Sequence, residues 1–228
     1  MNRVLHAALA VAVLAISTVA DAQQFTNLLA EKSLSQWMLP SGDSVSSGWQ
    51  FDEDGTLHLA GKGDNILSRS EYGDFELWFE YRISDKGNSG IKYRVQKFGN
   101  SWLGLEYQIQ DDVAFPDMPG KHLTASLYDI VDKSVVLLDR DYHPTSEFNT
   151  GRVVVQNHRL RHWMNGNLII DERDSSTRFA DAVTNSKFKD ESGFGRNHCG
   201  RLMLTDHGSE VWYRNLYIRR LDGCPLVP

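Results

Sequence analysis

The chain has 228 residues, 41% of them apolar and 24% charged, with a formal net charge of −6. That balance suits one soluble globular domain and excludes a disordered chain, a collagen-like repeat and a basic nucleic-acid binder. Two Cys cannot supply a disulfide framework, so stability must come from a packed core, to which six Trp and an aromatic share of 11% contribute.

Residues 1–22 have the three parts of a secretory leader: Arg3, an apolar run from Ala7 to Val19, and the small-x-small triplet Ala20-Asp21-Ala22. The apolar run is shorter than the roughly 20 residues that a bilayer span requires. No Cys follows Ala22 to take a lipid. The expectation is cleavage after Ala22 and one domain over residues 23–228, soluble in the periplasm or secreted, with no membrane insertion. In such an oxidising compartment Cys199 and Cys224 either pair or stay free, because sequence does not give their separation.

Along the remaining chain, hydrophobicity alternates with period two. Asp54-Gly55 lies between Gly48 to Phe51 and Leu57 to Leu59, which predicts a tight hairpin. Phe75, Leu77, Phe79, Tyr81 and Ile83 then point one way and Glu76, Trp78, Glu80 and Arg82 the other. Ile91, Tyr93 and Val95 alternate with Lys92, Arg94 and Gln96. Leu105, Tyr107 and Ile109 alternate with Glu106, Gln108 and Gln110. Strands follow at 152–157, at Leu160 to Met164 and Leu168 to Asp171 around an Asn165-Gly166 turn, at 201–205 and at 210–221. Asn165 and Gly166 are read as turn chemistry alone. No stretch sustains a helical period over three turns. About a dozen short strands predict an all-β, two-sheet antiparallel sandwich of the jelly-roll kind. Residues 112–122 and 172–199 are the long irregular stretches, either rims of a site or plain surface excursions.

A Gly-rich phosphate loop, a His pair on a helix and a Cys-x-x-Cys are all missing, which speaks against nucleotide, nicotinamide or structural zinc use. The polar sides of three strands bear Trp78, Glu80, Arg82, Lys92, Arg94, Glu106, Gln108 and Gln110. Were those strands in one sheet, that face would suit a sugar, whose hydroxyls need forked donors and acceptors and whose C–H face stacks on an aromatic ring. A solvated face of cross-strand ion pairs fits equally well. Periodicity leaves both readings open.

Six sequence words narrow the choice: Tyr72-Gly73-Asp74-Phe75-Glu76-Leu77; Asn88-Ser89-Gly90-Ile91 with Tyr93-Arg94; Glu106-Tyr107-Gln108-Ile109 with Asp111-Asp112; His162-Trp163-Met164-Asn165-Gly166; Ser186-Lys187-Phe188; and Asp206-His207-Gly208 followed by Trp212-Tyr213-Arg214-Asn215. In this order the chain resembles the 3-keto-disaccharide hydrolase family over roughly residues 25–221. The resemblance implies a concanavalin A-like jelly roll. It departs from the family in its opening segment, Phe25 to Trp37, and at Thr205-Asp206, where the family usually has Gln-Asp.

The implied activity is cleavage of glycosides, among them disaccharides, whose sugar a separate oxidoreductase has oxidised at carbon 3. The ketone acidifies the hydrogen on carbon 2, a base removes it, the glycosidic oxygen leaves carbon 1, and water adds across the new double bond. Such a site needs a base, donors for the enolate oxygen and an acid for the leaving group. Glu106 or His207 is the candidate base, and Asp111 the candidate acid or orienting group. Arg82, Arg94 and Lys187 are the candidate cations, Gln108 and Asn88 the hydroxyl readers, and Trp78 the stacking ring. No cofactor is expected, although Asp111, Asp206 and His207 could gather a divalent metal. His162 is either packed or site-facing, and His58, His143 and His198 are read as surface residues. Two competing functions stay open: a carbohydrate-binding module or lectin using Trp78 or Trp102, and an ordinary glycosidase pairing Glu106 with Asp111 or Glu80.

Overall fold

The computed structural model describes residues 24–46, 48–132, 142, 145, 147–221 and 224; the expected leader, residues 1–22, and His143 lie outside them. Thirteen strands among the described residues form two antiparallel sheets, as the alternation predicts. The larger sheet runs β11 (Asn167–Arg173), β10 (Arg159–Met164), β9 (Asn149–Gln156), β6 (Phe75–Ile83), β13 (Val211–Arg220), β4 (Leu57–Leu59) and β3 (Trp49–Phe51), with β1 (Thr26–Asn27) added to β13. The smaller runs β2 (Trp37–Met38), β5 (Ile66–Tyr72), β12 (Gly200–Leu204), β7 (Asn88–Phe98) and β8 (Ser101–Gln110). The architecture is a jelly-roll sandwich.

The alternating apolar residues of the two sheets meet in one core. Phe75, Leu77, Phe79, Tyr81 and Ile83 of β6 face Ile91, Tyr93, Leu105, Tyr107 and Ile109 of β7 and β8, and all are buried. Phe79 meets Tyr107 edge to face at 5.1 Å, an arrangement favoured by ring quadrupoles. Each such side chain stabilises the fold by about 1.5–3 kcal/mol when taken out of water. Both predicted hairpins form. At Asn165 and Gly166 the backbone takes φ values of 47° and 80°, the left-handed pair that a two-residue antiparallel turn requires.

Three features differ from the sequence reading or complete it. Strand β5 escapes alternation because Ile66, Leu67 and Ser68 are buried in succession. Ile66 points into the main core, whereas Leu67 joins Val95 and Met203 in a separate cluster, with Met38 and Trp102 against it. The stretch 172–199 contains a helix, α1 (Thr177–Thr184), capped where the Ser176 hydroxyl accepts the Phe179 N–H. At two turns, with Phe179 its one buried residue, it is too short to print a helical period. Cys199 and Cys224 are bonded, with Cα atoms 6.2 Å apart.

His162 belongs to the core. It lies between the Tyr93 hydroxyl and the Ala125 carbonyl, each at 3.0 Å, and desolvation lowers its pKa to about 4. The supposed single polar face is corrected. Strand β6 belongs to the larger sheet, β7 and β8 to the smaller. Their outward residues therefore occupy opposite surfaces of the sandwich: Trp78, Glu80 and Arg82 on one, Lys92, Glu106, Gln108 and Gln110 on the other.

Candidate active site

On the outer face of the smaller sheet, the β7–β8 register sets Asn88 opposite Gln110, Gly90 opposite Gln108 and Lys92 opposite Glu106. β8 ends the paired order of this sheet, and the following segment covers its edge. Ala125 N–H donates to the Gln108 carbonyl at 2.9 Å and Tyr128 N–H to the Glu106 carbonyl at 3.0 Å. Under this cover an outward-facing carboxylate becomes a buried one.

Glu106 is 3% exposed, and its Oε2 lies 3.8 Å from Lys92 Nζ. Its Oε1 is buried without a hydrogen-bond partner among the described residues. A desolvated carboxylate oxygen left unpaired is costly, so this arrangement does not serve stability. Gly90 gives the oxygen its room, since a Cβ there would stand 2.3 Å from Glu106 Oε1. Beside it, Gln108 Nε2 donates to Asn88 Oδ1 at 2.9 Å and to Gln110 Oε1 at 3.3 Å, so amides extend the polar floor.

Two further elements bring charge to Glu106. Asp129 gathers Lys121 Nζ at 2.7 Å, His122 Nε2 at 2.8 Å and the Lys187 N–H at 2.6 Å. Burial alone would raise its pKa, but these donors outweigh it and hold the carboxyl at about 2. The contact ties the segment after α1 to the segment covering β8. It leaves Lys187 Nζ 4.2 Å from the centre of the Tyr128 ring, a cation–π distance. Burial raises the Tyr128 phenol pKa, and the Glu106 and Asp129 charges raise it further against the pull of Lys92 and Lys121.

His207 follows β12. Lost solvation lowers its pKa, Glu106 and Asp206 act to raise it, and Lys92 and Lys187 to lower it. The imidazole is therefore neutral at pH 7 while sensing the Glu106, Lys92 and Lys187 charges. Asp206 serves the backbone instead. Its Oδ2 accepts Gly63 N–H at 2.9 Å and Asp64 N–H at 3.0 Å, and its Oδ1 accepts Gly208 N–H at 2.7 Å. It fixes the turn that presents His207.

Glu106, His207, Lys187, Gln108 and Asn88 thus belong to one neighbourhood. The other sequence candidates do not. Asp111 is 3% exposed and accepts Lys86 N–H at 2.9 Å and Ala114 N–H at 3.4 Å, so it closes loops at the end of β8. Arg94 sits at the register shift between Tyr93 and Gln96 with φ 50°, which turns it out of the row of Lys92. Its guanidinium bridges Asp74 at 3.2 Å and Asp174 at 2.8 Å. Arg82 lies on the larger sheet, stacked over Trp212 at 4.1 Å. Trp78 shares that face. The described residues contain no group of three or more His, Cys, Asp and Glu placed to hold a metal ion, Asp111, Asp206 and His207 included.

Three participants had no site role in the sequence reading, although Lys92 stood on its polar face. Lys92 and Gly90 were legible as neighbours of Glu106 only once the β7–β8 register was known. Tyr128 follows a segment with no periodic pattern and had no signal at all.

Similar proteins supply the class and then the family. The molecule is a glycoside hydrolase-like protein in fold. A crystal structure from Parabacteroides distasonis, provisionally described as a glycosyl hydrolase, superposes with a TM-score of 0.78 at 26% identity, covering 87% of this chain and 94% of that one. Bacillus licheniformis β-glucanase shares the fold alone, with a TM-score of 0.51 at 8% identity over 89% of this chain and all of the other. The chain belongs to the 3-keto-alpha-glucoside-1,2-lyase-like family, whose model matches residues 24–219. A 3-keto-disaccharide hydrolase of Bacteroides thetaiotaomicron is 29% identical over 237 aligned positions, spanning 89% of this chain and 80% of the relative.

Proposed function

We propose that the protein cleaves 3-keto-glycosides, 3-keto-disaccharides among them, by elimination followed by hydration. The observation that carries this reading is the buried Glu106 carboxylate with one oxygen unpaired beside Lys92. Family membership supplies the substrate class.

Glu106 Oε1 takes the proton from carbon 2. The C–H electron pair moves toward carbon 3, and its oxygen becomes an enolate. Lys92 and Lys187 supply positive charge where that oxygen develops, and one such donor is worth about 3–4 kcal/mol. Collapse of the enolate forms the carbon 1–carbon 2 double bond and expels the glycosidic oxygen. The Tyr128 phenol, protonated at neutral pH and with its pKa raised further by burial, hands the departing oxygen a proton. Neutral His207 then takes a proton from water, whose oxygen adds to carbon 1; Glu106, its proton exchanged with the solvent that enters, protonates carbon 2; and the proton on His207 returns through solvent to the Tyr128 phenolate. The balance is one water consumed and one glycosidic bond broken. Gln108 and Asn88 read ring hydroxyls.

An ordinary glycosidase needs a second carboxylate across the scissile bond from Glu106. Of the two acids considered for that role, Glu80 is on the opposite face and Asp111 is engaged with two backbone N–H groups. Both placements favour the elimination route. For export, the bonded Cys199–Cys224 pair suits an oxidising compartment, and no helix among the described residues is long and apolar enough to cross a membrane.

The test is to incubate the purified protein with a 3-keto-glycoside and its unoxidised parent in deuterated water. Aglycone release from the keto substrate alone, with deuterium entering at carbon 2, is the expected result. Equal release from the unoxidised parent, or release without deuterium, would overturn the mechanism.

A further inference from the structure

The surface opposite Glu106 has a feature that cleavage does not use. One straight row crosses five strands of the larger sheet: Tyr217 pairs with Trp78, Trp78 with Arg152, Arg152 with Trp163, and Trp163 with Leu168. Four strand spacings of about 4.8 Å make this row about 19 Å long, enough for several pyranose rings in line. Trp78 is 43% and Leu168 39% exposed, and Phe25, at 41%, lies beside the Tyr217 end. Trp side chains are usually highly buried, and contiguous exposed apolar surface rimmed by polar groups marks an interaction site.

The row is held in place before any ligand arrives. Trp78 Nε1 donates to Glu76 Oε1 at 2.9 Å, and the Arg152 guanidinium lies 4.9 Å from the Trp78 ring and 4.5 Å from that of Trp163. At the Tyr217 end the face opens into a cavity of about 540 Å³, with Phe25, Trp78 and Tyr217 as apolar walls and Glu80, Thr150 and Asn215 as polar ones. A smaller cavity of about 130 Å³ continues on the other side of Trp78, toward Trp163 and Gly166. The larger volume falls within the range of small-molecule sites.

We infer that this face is a second carbohydrate-binding site, separate from the surroundings of Glu106, which takes a neutral oligosaccharide by stacking pyranose faces along Tyr217, Trp78 and Trp163. The chemistry points to a neutral polyol and away from a charged glycan. Arg161 stands 5.4 Å from the Trp163 ring at one end, and each carboxylate bordering the row already has an arginine partner: Glu80 with Arg214 at 2.6 Å, and Glu76 with Arg152 at 2.6 Å and with Arg219. Their remaining lone pairs, with the Asn215 amide and Thr150 hydroxyl, are acceptors and donors for sugar hydroxyls. Rings fixed beforehand lose little freedom on binding. The site would hold the enzyme on a glycan while Glu106 works on the opposite surface.

The experiment titrates the purified protein with cellohexaose, maltohexaose and a uronic-acid hexamer, following Trp fluorescence and heat. At least one neutral hexasaccharide is expected to bind, with the uronic-acid hexamer weaker. Glu106→Gln should leave that affinity unchanged, and Trp78→Ala should weaken it at least tenfold without a change in molecular mass by light scattering. Phe25→Ala at the cavity rim is the second variant should Trp78→Ala fold poorly. Three results would overturn the inference: no neutral hexasaccharide binding at millimolar concentration, binding lost in Glu106→Gln but kept in Trp78→Ala, or a dimer that dissociates on Trp78→Ala, which would make the row a contact between copies.

Discussion

The two outer faces of this sandwich treat their carboxylates in opposite ways. On the larger sheet, Glu76 is matched by Arg152 and Arg219, and Glu80 by Arg214 and Asn215. Burial would raise the Glu76 pKa, yet hydrogen bonds from Arg219, Trp78 and Arg152 bring it below the ordinary carboxylate value. On the smaller sheet, Glu106 is as deeply buried, but its nearest cation is 3.8 Å away and one oxygen has no partner among the described residues. Both faces follow the same period-two rule and carry the same residue types. What separates them is cover: residues 125–128 pair back along β8, whereas Trp78 on the outer face of β6 is 43% exposed. Among the described residues, the buried carboxylate oxygen left without a hydrogen-bond partner is on the covered face.

The strongest way to break this contrast is to neutralise the unpaired acid. Glu106→Gln should reduce keto-glycoside cleavage by about 10²- to 10⁴-fold, the usual contribution of a positioned base, while the melting temperature changes little, because the substitution removes both the unpartnered oxygen and the ion pair with Lys92 at 3.8 Å. Rates and melting curves of the same preparation decide it, and unchanged turnover would remove Glu106 from the mechanism. Next is Gly90→Ala. The new methyl would stand 2.3 Å from Glu106 Oε1, so the carboxylate must swing aside while the strand stays. Displacement of that order costs about 10²-fold in rate. A fully active Gly90→Ala enzyme would mean that the position of Oε1 is immaterial.

These residues show what sequence could and could not disclose. The Phe75 to Ile83 alternation gave the strand, its buried face and its outward acids, because a pleated strand half in a core must alternate. It could not say which sheet the strand joins, since pairing is set by contacts far along the chain. Hence Trp78 and Arg82 were grouped with Glu106 although a whole core lies between them. Glu106 and His207 were legible through residue chemistry and through family words. Arg94 was not, because a register shift beside it turns the side chain to Asp74 and Asp174. Tyr128 and Asp129 belong to a segment whose shape depends on its hydrogen bonds to β8, and no periodicity encodes such bonds.

A smaller effect sharpens the comparison in stability. The Asp129 carboxyl, held at about 2 against an ordinary 3.8, contributes about 2 kcal/mol at neutral pH by linkage. For a depressed carboxyl that stability is present above the unfolded value and is lost as pH falls from about 4 through about 2. Asp129→Asn should lower stability by that amount at pH 7 and match the parent near pH 2. Glu76→Gln should cost less, about 1–2 kcal/mol, because its arginine partners are partly exposed, with its share likewise lost as acid protonates it. Only Asp129→Asn should also slow cleavage, since Asp129 positions the Lys187 segment. Equal effects of the two variants on turnover would erase the functional distinction between the faces.

The last effect, on pH dependence, concerns His207. Its pKa lies below the ordinary 6.5, with desolvation the leading cause, so the ring is neutral at pH 7 and gains its proton only as pH falls below that ordinary value. If neutral His207 accepts a proton from water during hydration, the acid limb of kcat should lie below pH 6.5. Replacing His207 with Gln should then remove that limb and lower the plateau by about 10²-fold or less, leaving deuterium entry at carbon 2 intact because Glu106 governs it. The split between the two readouts is what separates a hydration residue from the base itself. Loss of carbon 2 exchange in His207→Gln, with exchange retained in Glu106→Gln, would reverse the two assignments while leaving the site where it is.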